Sequence, residues 1–369
     1  MTTLDDLFPP ADLKAEIDGG YVTRKQHPEL PISIYTYTER CQFEPRWNQV
    51  TMRCRGLIVD DRDSRIVAWP FPKIFVSAMH GVHDFAPPLP SEPFEIYDKA
   101  DGSLAIIYHY AGRWHAASKG SFISDQARWS QDRLDHSDLS LLDPGITYLA
   151  EAIYPANRIV LDYGSAESLM LLAAFRPADL SEVPLAEAAK HWAPIDRVVP
   201  SWGLGEDVAA LEALAAANTT TDGRTVTGTE QEGYVIRFAS GQRAKIKLTA
   251  YLALHRLYTG TNERTVWEVL STGGDPAVLY DTVPDEFANW VSNVVNRLRD
   301  HVENYVTTAC TELANIGYIP DRKAFAARAV TSDLRAALFR LYDGKGIEDL
   351  AWKSCKPAGN TPFVVDEEG

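Results

Sequence analysis

A change of periodicity near His255 limits the fold more than any other feature of this sequence. Before it, from about Tyr21, the chain consists of short runs rich in β-branched and aromatic residues, broken by Gly, Pro and Asp. Examples are Glu95–Tyr97, Leu104–Tyr110, Ile159–Asp162, Leu169–Phe175, Tyr234–Phe238 and Ala244–Leu248. Such runs predict a mixed, mostly antiparallel sheet. Helices are predicted between strands at Phe122–Leu134 and Val208–Ala217, where good helix formers predominate and Pro is absent. After His255 the spacing turns helical: Phe287, Val291, Val294, Leu298, Val302, Tyr305 and Val306 form one stripe between Asp285 and Ile316, and Gly317 supplies a stop. Further helices are predicted at Arg322–Val330 and Asp333–Tyr342, and the acidic tail Thr361–Gly369 is expected to fray. The expected fold class is α+β: a sheet domain with an N-terminal extension over 1–254, then an all-helical domain over 255–369.

Of 369 residues, 45% are hydrophobic and 24% charged, enough for a sizeable core. The formal net charge is −15, shared by both parts, whereas a protein holding nucleic acid by its bulk field would be basic. Any polyanion must therefore meet a local cluster of cations. Cys41, Cys54, Cys310 and Cys355 are scattered, without the C-x-x-C spacing of a zinc site, which suits a reducing compartment. The N-terminus MTTLDDLFPP lacks a basic segment followed by an apolar run, and no window approaches the roughly 18 apolar residues of a bilayer span. A soluble, cytoplasmic, unprocessed protein is expected, with no membrane partner.

Several short motifs carry chemistry. Lys99-Ala100-Asp101-Gly102-Ser103 joins two strand-like runs, so Lys99 is held at a strand end while Gly102 lets the backbone approach a ligand. That suits a nucleophile, provided nearby cations or a metal favour the free amine. Taken alone it is more often an exposed hairpin turn. Lys245-Ile246-Lys247 alternates along a strand, so both ammonium groups share one face and require an anion or water between them. Glu232 precedes the run Gly233-Tyr234-Val235-Ile236, which is expected to pair with the Lys245 segment and set the acid beside the two lysines. One such carboxylate suits a hydrated Mg²⁺. Glu151, after an apolar strand, either accepts from a ribose hydroxyl or pairs with Arg158. Lys119 ends another strand, and Arg55 and Lys73 flank an apparent hairpin.

No single feature is decisive, but together they describe a nucleoside triphosphate attacked at its α-phosphorus. At this point the sequence resembles the covalent nucleotidyltransferases, which comprise ATP-dependent RNA and DNA ligases and mRNA capping enzymes. KADGS, EGY and KIK are similar to their first, fourth and fifth motifs. The phrases RCRGLIVD, KADGSLAIIY, ASKGS, YPANRIVLDY, EGYVIRF and KIKLTAYLALH resemble the RNA ligase 1 family of T-even phages, over about 35–255.

The resemblance implies a fold, an activity and roles. Lys99 would form a lysyl-adenylate with ATP, and Mg²⁺, or else Mn²⁺, would be the metal. Lys245 and Lys247 would hold the α-phosphate; Tyr35, Arg55 and Lys73 would contact the triphosphate; Lys119 would support them; Glu151 would bind the ribose. Phe75 would pack behind Lys73, Asp101 and Gly102 would complete the motif, and Tyr251 matches a functional tyrosine of the family. Glu232 would act through metal-bound water, and Asp275 is the best match to a further acidic metal-site residue. The partners implied are RNA ends, above all tRNA broken in the anticodon loop, handled by a monomer. Arg297, Arg299, Arg322, Lys323, Arg328, Arg335 and Arg340 of the helical part are candidate phosphate contacts, although salt-bridged helix faces describe most such residues. A DNA ligase or capping enzyme, which commonly carries a β-barrel after the fifth motif, and a non-catalytic RNA-binding relative are the alternatives.

Overall fold

The computed structural model describes residues 2–259, 262–279 and 285–357, with the side chains of 256–259 and 285–289 left undescribed. The side chain of Phe287 in the predicted stripe and the tail from Thr361 lie outside what is described. The chain divides into two compact units, Met1–Tyr258 and Thr259–Gly369.

Among its described residues the first unit carries thirteen strands: β1 Val22–Gln26, β2 Ile32–Tyr37, β3 Arg55–Asp60, β4 Ile66–Ala68, β5 Phe94–Asp98, β6 Ser103–Tyr110, β7 Arg113–Ser118, β8 Thr147–Ile153, β9 Ser168–Phe175, β10 Glu182–Val183, β11 Ser201–Gly205, β12 Gly233–Phe238 and β13 Arg243–Lys247. They form three sheets, ordered β1-β2-β3-β4, β10-β9-β8-β6-β7 and β11-β5-β12-β13. Every pairing between these strands is antiparallel, as the punctuated β-rich pattern predicts.

The near-continuous apolar run of β6 is explained by burial on both faces. Ile106, Tyr108 and Tyr110 join the core shared with Ile34, Leu57 and Ile58 of the first sheet, whereas Ala105 and Ile107 join the core with Leu134 and Trp192 of the covering helices Asp125–Asp135 and Leu185–Trp192. On β8, Leu149 belongs to the first of these cores and Tyr148 and Ala150 to the second. Strand alternation therefore turns Glu151 toward the face shared with the first sheet. The third sheet packs on helix Val208–Ala216 through Leu211 and Ala215. Glu182 of β10 braces the second sheet to the third by accepting from Arg237 Nε at 3.0 Å and from Arg243 Nη2. Cys41, Cys54, Cys310 and Cys355 are all free thiols, and burial pushes the first two up to about 12.

Two expectations are corrected. Ile159–Asp162 is not a strand but an irregular segment, because the N–H groups of Val160 and Leu161 donate to the Asp101 carboxylate at 2.9 and 2.8 Å instead of to a neighbouring strand. Lys99–Gly102 is not a hairpin turn, since β5 and β6 lie in different sheets and the segment crosses between them.

The second unit is helical where described: Glu263–Ser271, Asp285–Ile316, Arg322–Ala329, Arg335–Tyr342 and Glu348–Ser354. Val291, Val294 and Leu298 of the predicted stripe are buried, and Tyr305 and Val306 pack against Ala337 and Ile347. Gly317 takes φ +75° and its N–H closes on the Leu313 carbonyl at 3.1 Å, the helix stop its position suggests. Of the candidate cations, Arg297 pairs with Glu263 at 2.7 Å, Arg322 with Asp343 and Arg340 with Asp349. Among the described residues no helix is long and apolar enough to cross a membrane.

Candidate active site

Sheet register, rather than sequence proximity, assembles the site. β12 lies between β5 and β13, with Tyr234 opposite both Asp98 and Ile246 and Gly233 opposite Lys247. Both ladders continue one step further: Lys99 N–H donates to the Gly233 carbonyl at 2.9 Å, and Leu248 N–H donates to the Glu232 carbonyl at 3.0 Å. Three neighbouring strand ends thus bring Lys99, Glu232 and Lys247 together. Asp98 secures the same edge by accepting from Trp202 Nε1 at 2.6 Å and Gln231 Nε2 at 3.0 Å. Gly233 is required there: at φ +151° its Cβ position would lie 2.1 Å from the Ile246 carbonyl oxygen.

The centre is one carboxylate shared by two ammonium groups. Glu232 Oε1 stands 2.8 Å from Lys99 Nζ and 3.1 Å from Lys247 Nζ. The glutamate is 2% exposed, and although burial opposes ionisation, the charges of Lys99 and Lys247 outweigh it and hold the group below the ordinary carboxylate range. The neighbour that touches the Lys99 amine is therefore an anion, and the cation expected beside it reaches the same anion from the opposite strand. Lys245 shares the β13 face of Lys247, and its N–H donates to the Phe75 carbonyl at 3.0 Å.

The rest of the lysine motif is held from below. Asp101 is 4% exposed; its Oδ1 accepts from Tyr251 Oη at 2.9 Å, and its own N–H donates to Tyr163 Oη at 3.0 Å. Burial and the nearby charge of Glu232 push its carboxyl up. Tyr251 also carries the Lys247 ammonium 5.3 Å above its ring. Gly102 approaches β8 so closely that a Cβ would lie 2.6 Å from the Ala152 carbonyl oxygen and 3.1 Å from Glu151 Cγ. Burial raises the Glu151 carboxyl to about 7, against the pull of Lys99 and Arg55. Arg158 pairs with Asp162 at 3.0 Å.

Arg55 and Lys119 converge from two other sheets' strands. Gly56, at φ +91°, leaves no room for a Cβ against Ile106, and the Lys119 carbonyl oxygen would lie 3.1 Å from it. Lys119 Nζ sits 5.0 Å from the Tyr37 ring, and Lys73 Nζ lies 5.4 Å from the same ring, 4.8 Å from Trp47 and 5.9 Å from Phe75.

One of the residues expected here sits elsewhere within the first unit, and another belongs to the second unit. Tyr35 is 5% exposed within the first core, with the Arg24 guanidinium 6.0 Å from its ring, and it is Tyr37, one alternation further along β2, that meets both lysines. Asp275 belongs to the second unit, is exposed, and closes its own turn by accepting from Ala277 N–H at 2.9 Å. Tyr37, Trp47 and Tyr163 escaped the sequence reading; only the alternation that paired Tyr35 with Tyr37 carried a signal.

Among the described residues no cluster of three or more His, Cys, Asp or Glu could cage a metal. Glu232 Oε2 and Arg55 Nη1 are nonetheless among the buried side-chain atoms that lack a hydrogen-bond partner. The lone Glu232 carboxylate oxygen fits Mg²⁺, which takes one or two carboxylates and completes its shell with water and phosphate oxygens.

One antiparallel sheet thus presents a lysine, a second lysine and a shared buried carboxylate from adjoining strand ends. The chain belongs to the RNA ligase family, whose sequence model matches residues 53–252. It is 31% identical over 197 residues to a putative bifunctional polynucleotide kinase/RNA ligase of Autographa californica nuclear polyhedrosis virus; that region covers 47% of this chain and 28% of the viral protein. The chain thus spans little more than a quarter of that relative. Solved structures of a Naegleria gruberi RNA ligase are also similar: with pyrophosphate, at 15% identity and TM-score 0.37 over 45% of this chain and 52% of that one. A mutant of it with ATP and Mn gives 15% and 0.36 over 44% and 51%.

Proposed function

We propose that this protein is an ATP-dependent RNA ligase joining 5′-phosphate and 3′-hydroxyl ends in three displacements at phosphorus. Lys99 Nζ attacks the α-phosphorus of ATP: the N–P bond forms, the bond to pyrophosphate breaks, and the amine proton passes to solvent. An RNA 5′-phosphate oxygen then attacks the same phosphorus and the N–P bond breaks, returning the lysine. Finally a 3′-hydroxyl attacks the activated 5′-phosphate and AMP leaves. The observation that carries this reading is the Lys99–Glu232–Lys247 cluster, in which one buried carboxylate oxygen lies 2.8 Å from the Lys99 amine and 3.1 Å from the Lys247 amine. Lys245 and Lys247 bind the α-phosphate, Arg55, Lys73 and Lys119 the departing pyrophosphate, and Glu151 the ribose. Glu232 would hold a divalent metal, Mg²⁺ or Mn²⁺, through water, and that ion would supply charge neutralisation for the phosphates.

The 1–254 region acts as the adenylyltransferase. The helical region from 255 selects the substrate, tRNA broken in the anticodon loop, and the enzyme works as a monomer in the cytoplasm. Helices rather than a β-barrel follow β13 among the described residues, which favours this reading over DNA ligase or capping activity. Mass spectrometry after incubation with ATP and Mg²⁺ tests it: one added AMP on Lys99 is expected, and unmodified protein would overturn it.

A pH dependence follows from Glu151. With its carboxyl near 7, the ionised fraction falls about tenfold between pH 8 and 6, so the KM for ATP rises by a similar factor relative to Glu151→Gln. Steady-state adenylylation of wild type and variant across that range is the check.

A further inference from the structure

The segment from Trp69 to Pro93, between β4 and β5, runs about twenty-five residues with only a single-turn helix at Ser77–Met79. Loops of that length inside a compact unit are usually functional. This one is fixed to the site, because Val76 bridges to Lys245 and the Phe75 carbonyl takes the Lys245 N–H. It also carries three rings that touch one another in turn and continue a line begun by Trp47 outside the segment. Trp47 meets Phe75 with centroids 5.7 Å apart, Phe75 meets Phe85 at 5.1 Å, and Phe85 stacks on His83 at 4.9 Å with the planes 5° from parallel. Phe75 is buried, whereas Trp47, His83 and Phe85 keep partial exposure. At its inner end this aromatic line begins on Lys73, whose ammonium lies 4.8 Å from Trp47.

Cations at one end and stackable ring faces beyond them are what a single-stranded nucleic acid recognises, phosphate on the first and bases on the second. The net charge of −15 makes such a local pairing of features necessary for any RNA contact. The chemistry of in-line displacement selects the strand. Lys99 enters the α-phosphorus opposite pyrophosphate; when Lys99 is later the leaving group, the RNA 5′-phosphate must enter from the side pyrophosphate vacated. On the ligase reading above, on which this inference rests, that side is marked by Arg55, Lys73 and Lys119.

We propose that Trp47, Phe85 and His83 form a stacking platform for the bases at the 5′-phosphate end of the RNA, which enters along the path pyrophosphate leaves. The 5′-terminal base stacks nearest Lys73 and the next ones lie over the Phe85–His83 pair.

The probe is a 5′-phosphorylated RNA oligonucleotide with 2-aminopurine in its first three positions, whose fluorescence is quenched by stacking. Wild type is expected to quench it, and Phe85→Ala to lose the quenching and to raise the KM for RNA in AMP transfer about 5- to 100-fold. Lysyl-AMP formation from ATP should stay at the wild-type rate, and Phe85→Tyr should restore quenching. His83→Ala, on the partner ring of the stacked pair, serves as the second variant and should lose part of the signal if Phe85→Ala does not fold. Unquenched RNA bound to wild type, or equal quenching by Phe85→Ala, overturns the platform. Absence of lysyl-AMP from a wild-type protein that still quenches the 5′ bases would sink the ligase reading and leave the platform standing.

Discussion

Replacing Lys99 with alanine is expected to reduce transfer of label from α-labelled ATP onto the protein to background, a fall of at least about a thousandfold. The expectation is specific to this amine. Lys247 reaches the same carboxylate at 3.1 Å, so a neighbouring lysine remains when Lys99 is removed. It cannot substitute, because it comes from β13 on the other flank of β12 and would meet the α-phosphorus from a different direction. Lys99→Arg should fail equally, since a guanidinium keeps the ion pair with Glu232 but is not a nucleophile. That pairing of variants separates chemistry from packing: arginine retains the charge balance and loses the reaction. Sealing of RNA already adenylylated at its 5′ end does not use the lysine as nucleophile and should survive in both variants far better than the complete reaction. Wild-type labelling of Lys99→Ala, or labelling displaced onto Lys247, would overturn the assignment.

How much of this was legible beforehand depends on whether a feature is local. The strands β6, β9, β12 and β13 and the helices Val208–Ala216 and Asp285–Ile316 fall within a residue or so of their predicted limits, because each carries its own alternation or stripe. Pairing of the Glu232 and Lys245 segments was also readable, since a short turn joins two runs of opposite register. What the sequence concealed was competition from tertiary contacts. Ile159–Asp162 has the composition of a strand, yet its amides are claimed by Asp101, some sixty residues away. Likewise Tyr35 and Tyr37 carry identical local signals on β2, and only the packing of the first sheet decides which ring faces Lys73 and Lys119. The sequence suggested that cations would surround Lys99, but the carboxylate between the two lysines depends on a three-strand register that composition does not encode.

Glu232→Gln should give the largest combined loss of stability and activity among conservative changes. The substitution keeps volume and removes the single negative charge that two largely buried ammonium groups share. Breaking a buried pair costs about 3–5 kcal/mol, and the lower end applies here because Lys99 retains 21% side-chain exposure and an amide can still accept one hydrogen bond. A loss of about 3 kcal/mol lowers Tm by roughly 6–12 °C for a unit of this size. The sign with pH follows from the depressed pKa of Glu232. Its stabilisation is fully present above the carboxylate's ordinary value and disappears as pH falls through the lower folded-state value. Wild type therefore loses stability on acidification more steeply than the variant, and the two melting curves converge once Glu232 is protonated. A gap in Tm that stays constant from neutral pH down to acid would show that shape rather than charge is responsible. On the proposed mechanism the same variant should adenylylate about 10²- to 10³-fold more slowly, because the site would then lack the anion proposed to orient the nucleophile and hold the metal. A variant that lost the Tm but kept the rate would move Glu232 from the chemistry to the scaffold.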